Sequence, residues 1–422
     1  MDLGIEARFA TFVDALAGVM GDARRVRPLR DYCTGLALPL DRKSVEPIAA
    51  NTDAVRVSAQ HQCLLHFVGE GPWPDEKVLG KVREVVLPKI ENHGPIEAWI
   101  IDDTGFPKRG RHSVGVQPQY CGQLGKKTNC QVMVSLSVAN HFASLPVGCR
   151  LYLPKEWAND RARRTEAGVP KNIRFKTKQQ IALELIKQAR EAGVPRGALL
   201  MDSDYGRDSK LREGITALGL TYVAAVKPNV LVWPPGTHPK RGDKPLKTGR
   251  RDEPDLISAQ ELARVLPSRA WRTIAWREGS AGRLSSRFAR VRVRVGYYQA
   301  IPELLAEEWL LIEWPKGEAK PTKYWLSTLP EDITFERLVD IAKLRWRIER
   351  DYQELKQEVG FGHYEGRGWR GFHHHVTLCI AVYGFLVAER AAFSPSGPPS
   401  PVLRQEPSLP DGYRPRGSSL AA

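Results

Sequence analysis

Two short apolar runs constrain this chain more than any other feature: AWII, residues 98–101, and ALLM, residues 198–201. Each has the length and bulk of a buried strand, and each stops at carboxylates, Asp102 and Asp103 after the first and Asp202 after the second. A strand that stops being apolar in this way delivers its last side chains into a site. Between them CQVMVSLSVAN (130–140) and FASLPVGCRLYL (142–152) read as two hairpin strands, followed by KTKQQIALELIKQAREAG (176–193). In that segment Ile181, Leu185, Ile186 and Ala189 mark one helical face, and Gly193 is suited to cap the C-terminus. A helical stretch over 206–218 and the strand TYVAAVK (221–227) complete the order strand, strand, strand, helix, strand, helix, strand. That order predicts an α/β fold, a mixed five-stranded sheet with flanking helices. The carboxyl ends of strands are where sites collect in such sheets.

The flanking regions differ in character. Residues 1–95 read as a helical N-terminal domain broken at Pro28, Pro39 and Pro47, and its cluster ARRVRPLR (23–30) marks it as a candidate DNA-contacting unit. Residues 228–330 form a β-rich insertion: a loop dense in Pro, Gly, Lys and Arg, then RFARVRVRV, EWLLIEW and KYWLSTL as strands. From Thr334 to Gly360 a long helical pattern follows, with Ile341, Leu344, Ile348, Leu355 and Val359 along one stripe and Arg345, Glu349 and Lys356 in a polar line at its edge. This returns the chain to the sheet, so the core spans 96–227 and 331–390. The tail 391–422 is rich in Pro and Ser and is expected to be disordered.

Composition narrows the partners. Lys and Arg number 63 against 48 Asp and Glu, a net charge of +15 that suits a polyanion such as nucleic acid. The N-terminus carries Asp2, Glu6 and Asp14 within its apolar pattern, unlike a signal peptide, and no apolar run is long enough to span a bilayer, so a cytoplasmic, nucleoid-associated protein with no membrane partner is expected. Six scattered cysteines without a C-x-x-C pair argue against a zinc finger or a disulfide framework. His373, His374 and His375 point in different directions on one helix and do not suggest a metal site. The GKKT of residues 125–128 has Lys127 where a phosphate-binding loop needs Ser or Thr, so ATP binding is not expected.

Three carboxylates from two strand ends and a helix are what a pair of hard divalent cations requires, Mg²⁺ taking oxygen ligands from few side chains, water and phosphate. Two such ions can activate a nucleophile and stabilise the leaving oxygen of a phosphodiester. Adjacent strand residues face opposite ways, so Asp102 and Asp103 cannot easily serve together, and Thr104 shares the face of Asp102. The other carboxylate is free to cap the turn or hold a cation. Spacing alone leaves the choice open, as it does between Asp202 and Asp204.

The segments IIDDTGFPKRGRHSVGVQPQYCGQLGKKTNCQV, LYLPKEWAND, MDSDYGRDSKLR and LRWRIERDYQELKQEVGFGHYEGRGWRGFHHHVTL together resemble the DDE transposases of bacterial insertion sequences, specifically insertion-sequence family 701, related to family 4. The resemblance implies an RNase H-like core interrupted by the β-rich insertion. Its D-x-T element falls on Asp102 and Thr104, its second Asp on Asp202, and its helical Arg, Glu and Lys on Arg345, Glu349 and Lys356. Its Tyr position is Ala342 here, with Tyr352 one turn after Glu349 as a substitute. The family then implies that Asp102, Asp202 and Glu349 bind two Mg²⁺, with Mn²⁺ as a possible substitute, and that Arg345 and Lys356 hold DNA phosphates, joined by Lys108 and Arg109 just past the first strand. A tryptophan of the insertion, among Trp271, Trp276, Trp309, Trp314 and Trp325, could stack a flipped base, although core packing explains each.

The activity so implied is cutting at terminal inverted repeats and joining to target DNA, by a homodimer assembled on double-stranded DNA. Two alternatives share the residues: an RNase H-like nuclease without strand transfer, and a transposase-derived DNA-binding protein that no longer cuts.

Overall fold

The computed structural model describes residues 4–235, 256–279, 282–296 and 306–393. Five helices open the chain: α1 (Ile5–Ala17), α2 (Val26–Ala37), α3 (Val45–Thr52), α4 (Val57–Gly69) and α5 (Asp75–Glu91). The core follows with β1 (Ala98–Pro107), β2 (Gln117–Cys121), β3 (Lys126–Ala139), β4 (Ser144–Leu151), α6 (Lys155–Asn159), α7 (Arg161–Glu166), α8 (Lys178–Glu191), β5 (Ala198–Met201), α9 (Ser203–Gly206), α10 (Ser209–Ala217) and β6 (Tyr222–Val226). Then come β7 (Leu231–Trp233), β8 (Ile257–Ser258), α11 (Ala259–Val265), β9 (Trp271–Gly279), β10 (Gly282–Val295), β11 (Glu308–Trp314) and β12 (Lys323–Ser327), and finally α12 (Phe335–Lys343), α13 (Trp346–Gln357) and α14 (Trp369–Ala392).

The core strands lie in the order β4-β3-β1-β5-β6. β3 runs antiparallel to β1 and to β4, whereas β5 is parallel to β1 and to β6. This is the mixed α/β sheet the order of elements predicts, RNase H-like as the resemblance implies. Its pairing register places Asp102 opposite Ser135 and Asp103 opposite Val134, so the two carboxylates leave β1 on opposite faces. α8 covers the Asp103 face, where its Lys178 reaches Asp103. α13 covers the other, where Tyr352 Oη meets Ser135 Oγ at 2.7 Å.

Local sequence sets the helix starts. Thr177 and Gln180 form a reciprocal capping box at α8, Asp208 caps α10 and Thr334 caps α12, each satisfying backbone N–H groups that lack helical partners. Gly193, at φ 71°, follows the end of α8 in the left-handed conformation that glycine adopts without steric cost.

The β-rich insertion extends the core sheet instead of forming a separate one. β12 pairs antiparallel with β6, β11 with β12 and β10 with β11, giving a continuous run of strands outward from β6. The N-terminal helices likewise share one apolar core with the sheet, packing on α14. α14 is apolar around its whole circumference and is buried along nearly its whole length, as such a helix must be. Its three histidines are part of that packing: the ring nitrogens of His374 lie 2.9 and 3.0 Å from the carbonyl oxygens of Val68 and Trp73, to one of which a neutral ring donates, and the ring stacks on Trp73 at 3.5 Å, while His375 donates to the Gly360 carbonyl and accepts from Tyr32 Oη. Burial pushes the pKa of His374 down to about 4 and of His375 to about 3, so both rings are neutral.

One expectation needs correction. The helical pattern over 334–360 is not one helix but two, α12 and α13, separated at Leu344 and Arg345 by a turn with i to i+3 bonds, Leu344 N–H to Ile341 O and Arg347 N–H to Leu344 O. No proline or glycine marks this break. The two halves have different partners, α12 against β9 of the insertion and α13 against β1 and β4, and the turn lets one apolar stripe follow both. The tail beyond Phe393 and most of the basic loop after Trp233 lie outside the described residues.

Candidate active site

Asp102 sits in the middle of β1, and Asp202 is the first residue after β5, the parallel neighbour. Asp202 caps the short helix α9: its Oδ1 accepts from the backbone N–H of Asp204 and of Tyr205, at 2.9 and 3.1 Å. α9 lies directly on β6, so close at Gly206 that an added Cβ would stand 2.0 Å from the carbonyl oxygen of Ala225. Glu349 comes from the first turn of α13 and is largely exposed. The anchor of α13 is Asp351, which is buried and accepts from Ser144 Oγ and Tyr383 Oη, while burial holds its pKa up at about 6.

Arg345 connects the carboxylates. Its Nη1 donates to Asp102 Oδ2 and its Nη2 to Glu349 Oε1, each at 2.8 Å, and the charge of Asp202 also acts on it. The turn between α12 and α13 puts this guanidinium at the very start of α13. Burial pushes Asp102 up to about 7; the Arg345 charge opposes that shift, and Asp202 and Asp103 reinforce it. Two neighbouring carboxylates thus disfavour the charged form of Asp102 and the Arg345 guanidinium favours it.

The paired aspartates have different partners on the two faces of β1. Asp103 Oδ2 accepts from Lys178 Nζ and from Tyr205 Oη, both at 3.0 Å. It therefore holds a cation, one of the two roles open to it, and through Tyr205 also ties β1 to the helix Asp202 caps. Asp204 is exposed and contributes its carbonyl to Gln179. The other polar candidates are placed as follows. Lys356 Nζ lies 3.2 Å from Gly105 O and from Gln123 Oε1, Lys108 Nζ donates to Tyr364 O at 2.5 Å, and Arg109 is exposed beyond the strand end. Burial lowers the pKa of Lys108 to about 8 and lowers that of Lys356. Ala342 is buried, and Tyr352 spends its hydroxyl on Ser135 within the core.

The insertion meets the site through α12. Lys343 Nζ pairs with Glu313 at 2.5 Å and lies 4.3 Å from the Trp276 ring centre, and Arg277 stacks 3.8 Å over Trp346. Trp309 and Trp325 are buried, and Trp271 and Trp314 pack edge to face at 5.3 Å. Sequence reading missed the bridging role of Arg345, the Tyr205 tie and Trp346. The MDSDYG run was the available signal for Tyr205, since its third residue after Asp202 lies one helical turn on. A separate group, Glu97, His141 and Asp340, has ligand atoms within 4.8 Å of one another at the far end of β1. Arg337 already pairs with both of its carboxylates, at 3.1 and 2.7 Å.

A mixed, RNase H-like sheet with Asp102 on β1, Asp202 at the end of β5 and Glu349 on a later helix defines the class of fold. Comparison with known families agrees: the family model described as DDE superfamily endonuclease matches residues 15–283, more than half of the chain, and the chain belongs to that family. It is also 31% identical over 209 residues to the probable transposase for insertion sequence element IS701 of Microchaete diplosiphon, a match covering 49% of this chain and 50% of that protein. The chain thus spans about half the length of the curated relative it matches. Among solved structures, the NurA nuclease from Sulfolobus solfataricus aligns over 69% of this chain and 84% of its own at 8% identity, with a TM-score of 0.23 that carries no argument.

Proposed function

We propose that the chain is a metal-dependent transposase that cuts at the terminal inverted repeats of an insertion sequence and transfers the strands to target DNA. The observation that carries this reading is the convergence of Asp102 and Glu349 on one guanidinium, with Asp202 near enough to add its charge. In this reading Asp102, Asp202 and Glu349 hold two Mg²⁺. The donor set fits: all three offer carboxylate oxygens, and among the described residues no hydrogen bond goes to Asp202 Oδ2 or Glu349 Oε2. When bound, such ions supply Lewis-acid activation of the attacking hydroxyl and charge stabilisation of the leaving oxygen.

The protein's own residues do the rest. Arg345 offers a planar fork of donors for a phosphate once its carboxylate partners have other cations to face. Lys356 and Arg109 supply further positive charge along the strand's path, and Lys108, kept close to Tyr364, sets the position of the loop that carries Arg109. Asp103 holds Asp202's helix in place and does not serve as a ligand. The relative's description as a probable transposase supports this over a nuclease that cuts without joining. A homodimer assembled on DNA is part of the same proposal.

The test is a joining assay. A labelled duplex carrying the host element's terminal inverted repeat, incubated with supercoiled plasmid and Mg²⁺, should yield covalent duplex–plasmid products that disappear with EDTA. Cleavage without joining would move the assignment to the nuclease, and specific binding with neither reaction to the non-catalytic DNA-binding protein.

A further inference from the structure

Beyond the carboxylates, a cavity of about 470 Å³ gathers arginines from three distant segments, Arg111 after β1, Arg163 on α7 and Arg367 before α14, and is also lined by His112. Backbone bonds fasten these segments together, Val114 N–H to Arg367 O at 3.0 Å and Trp369 N–H to Ala167 O at 2.8 Å. The wall is rigid. Trp157 is buried, donates its Nε1–H to Val116 O at 2.8 Å, and carries the Arg163 guanidinium on its face at 3.8 Å. Arg163 also donates to the Arg111 carbonyl at 3.1 Å, which fixes the loop that presents Arg111.

The arginines here lack the neutralisation seen elsewhere. In the basic cluster near the N-terminus, Arg24 pairs with Asp22, Arg27 with Asp53 and Arg30 with Asp14. Among the described residues Arg111, Arg163 and Arg367 form no ion pair, although Glu166 also lines the cavity. Three unpaired guanidiniums held near one another repel and are stabilised by an anion. Position supplies the second argument. β1 runs on from Asp102 into the Arg111 loop, and the chain runs on from Glu349 and α13 to Arg367; Lys108 stitches the two paths together at Tyr364.

We propose that this cavity is a second anchoring point for DNA, holding a backbone phosphate away from the carboxylates, and that it sets the strand's register without taking part in the chemistry. The proposal rests on DNA being the substrate. Phosphate contacts of this kind fix position and carry no sequence information.

The test measures binding of the full chain to a fluorescent duplex bearing the terminal inverted repeat, in EDTA, over a range of KCl concentrations. Removing one arginine–phosphate interaction should lower the slope of log Kd against log salt by about 1. The double variant Arg111→Gln/Arg367→Gln should lower it by about 2, equally for an unrelated duplex, and Glu166→Gln should tighten binding. Because no side-chain bond of Arg111 or Arg367 is broken, thermal unfolding of the double variant should match wild type. A wild-type slope in the double variant, with wild type itself strongly salt-dependent, overturns the pocket and leaves the transposase reading intact. Absence of salt-dependent binding in wild type overturns both. A calorimetric titration with inorganic phosphate separates the sources: tight phosphate binding that the double variant loses, with its duplex slope unchanged, would make this a free-anion site and refute the proposal.

Discussion

Replacing Gly206 by alanine tests whether the seating of α9 on β6 positions Asp202. The added Cβ would stand 2.0 Å from the Ala225 carbonyl oxygen and 3.2 Å from the Ala224 Cβ. The nearest atom is backbone, so no rotamer change relieves the contact. Ordinary separations demand that α9 move off the sheet by roughly 1 Å, and Asp202, four residues earlier, caps that helix. Overpacking of this kind costs about 1–3 kcal/mol. A displacement of about 1 Å in a catalytic group can cost on the order of 100-fold in rate. Thermal unfolding and Mg²⁺-dependent cleavage of a terminal-repeat duplex read the two effects separately. Gly122→Ala is the control, because no atom lies within 4 Å of its added Cβ, and it should stay within about 0.5 kcal/mol of wild type. Gly206→Ala with wild-type stability and wild-type cleavage would refute the close seating of α9 and the positional argument built on it.

Asp103→Ala loses the bonds to Lys178 and Tyr205, and should cost about 2 kcal/mol of stability while leaving measurable cleavage; Asp102→Ala should leave none, and the reverse pattern would exchange their roles. Asp102 has a folded pKa raised to about 7, so the stability its protonated form contributes is complete below the unfolded value and is lost as pH rises through about 7. In EDTA, Asp102→Asn should therefore be more stable than wild type at alkaline pH, by on the order of 2 kcal/mol, and lose that advantage toward acidic pH; a less stable variant in alkali contradicts the shift. His375 has the opposite sign: its pKa is depressed to about 3, so its contribution is present above the unfolded value near 6.5 and is lost as pH falls toward the folded one. Below the unfolded value, the wild type should lose about 1.4 kcal/mol per pH unit relative to His375→Gln, and parallel pH profiles would show that the ring is not buried neutral.

The core was legible because its signals are local. AWII and ALLM could be read as strands from bulk and length, and their stops at Asp102 and Asp202 marked the candidate site. Alternation put Asp102 and Asp103 on opposite faces before any register was known, and the pairing of β1 with β3 bears that out. What could not be read depends on distant partners. The break at Leu344 and Arg345 has no proline or glycine to announce it, because the bend follows from α12 and α13 packing on different strands. The pairing of β12 with β6 joins residues about a hundred positions apart, which no periodicity reports. The Arg345 bridge was half visible: its spacing from Glu349 is one helical turn, but its reach to Asp102 is a tertiary fact.

Charge density along the sequence did not report which cations are paired. The cluster at residues 23–30 drew attention by density, yet its arginines are largely paired within the helical region. The arginines that converge on one cavity are spread over some 250 residues of sequence, and only folding assembles them.

The most direct measurement is cleavage of a labelled duplex bearing the terminal inverted repeat, with Mg²⁺ or EDTA, comparing wild type with Glu349→Ala. Glu349 is the most exposed of the three carboxylates, so its loss leaves the core untouched. Metal-dependent nicking at the repeat boundary, lost in Glu349→Ala while duplex binding persists, is the predicted result. Undiminished nicking by Glu349→Ala would contradict the assignment of Asp102, Asp202 and Glu349 as one metal site.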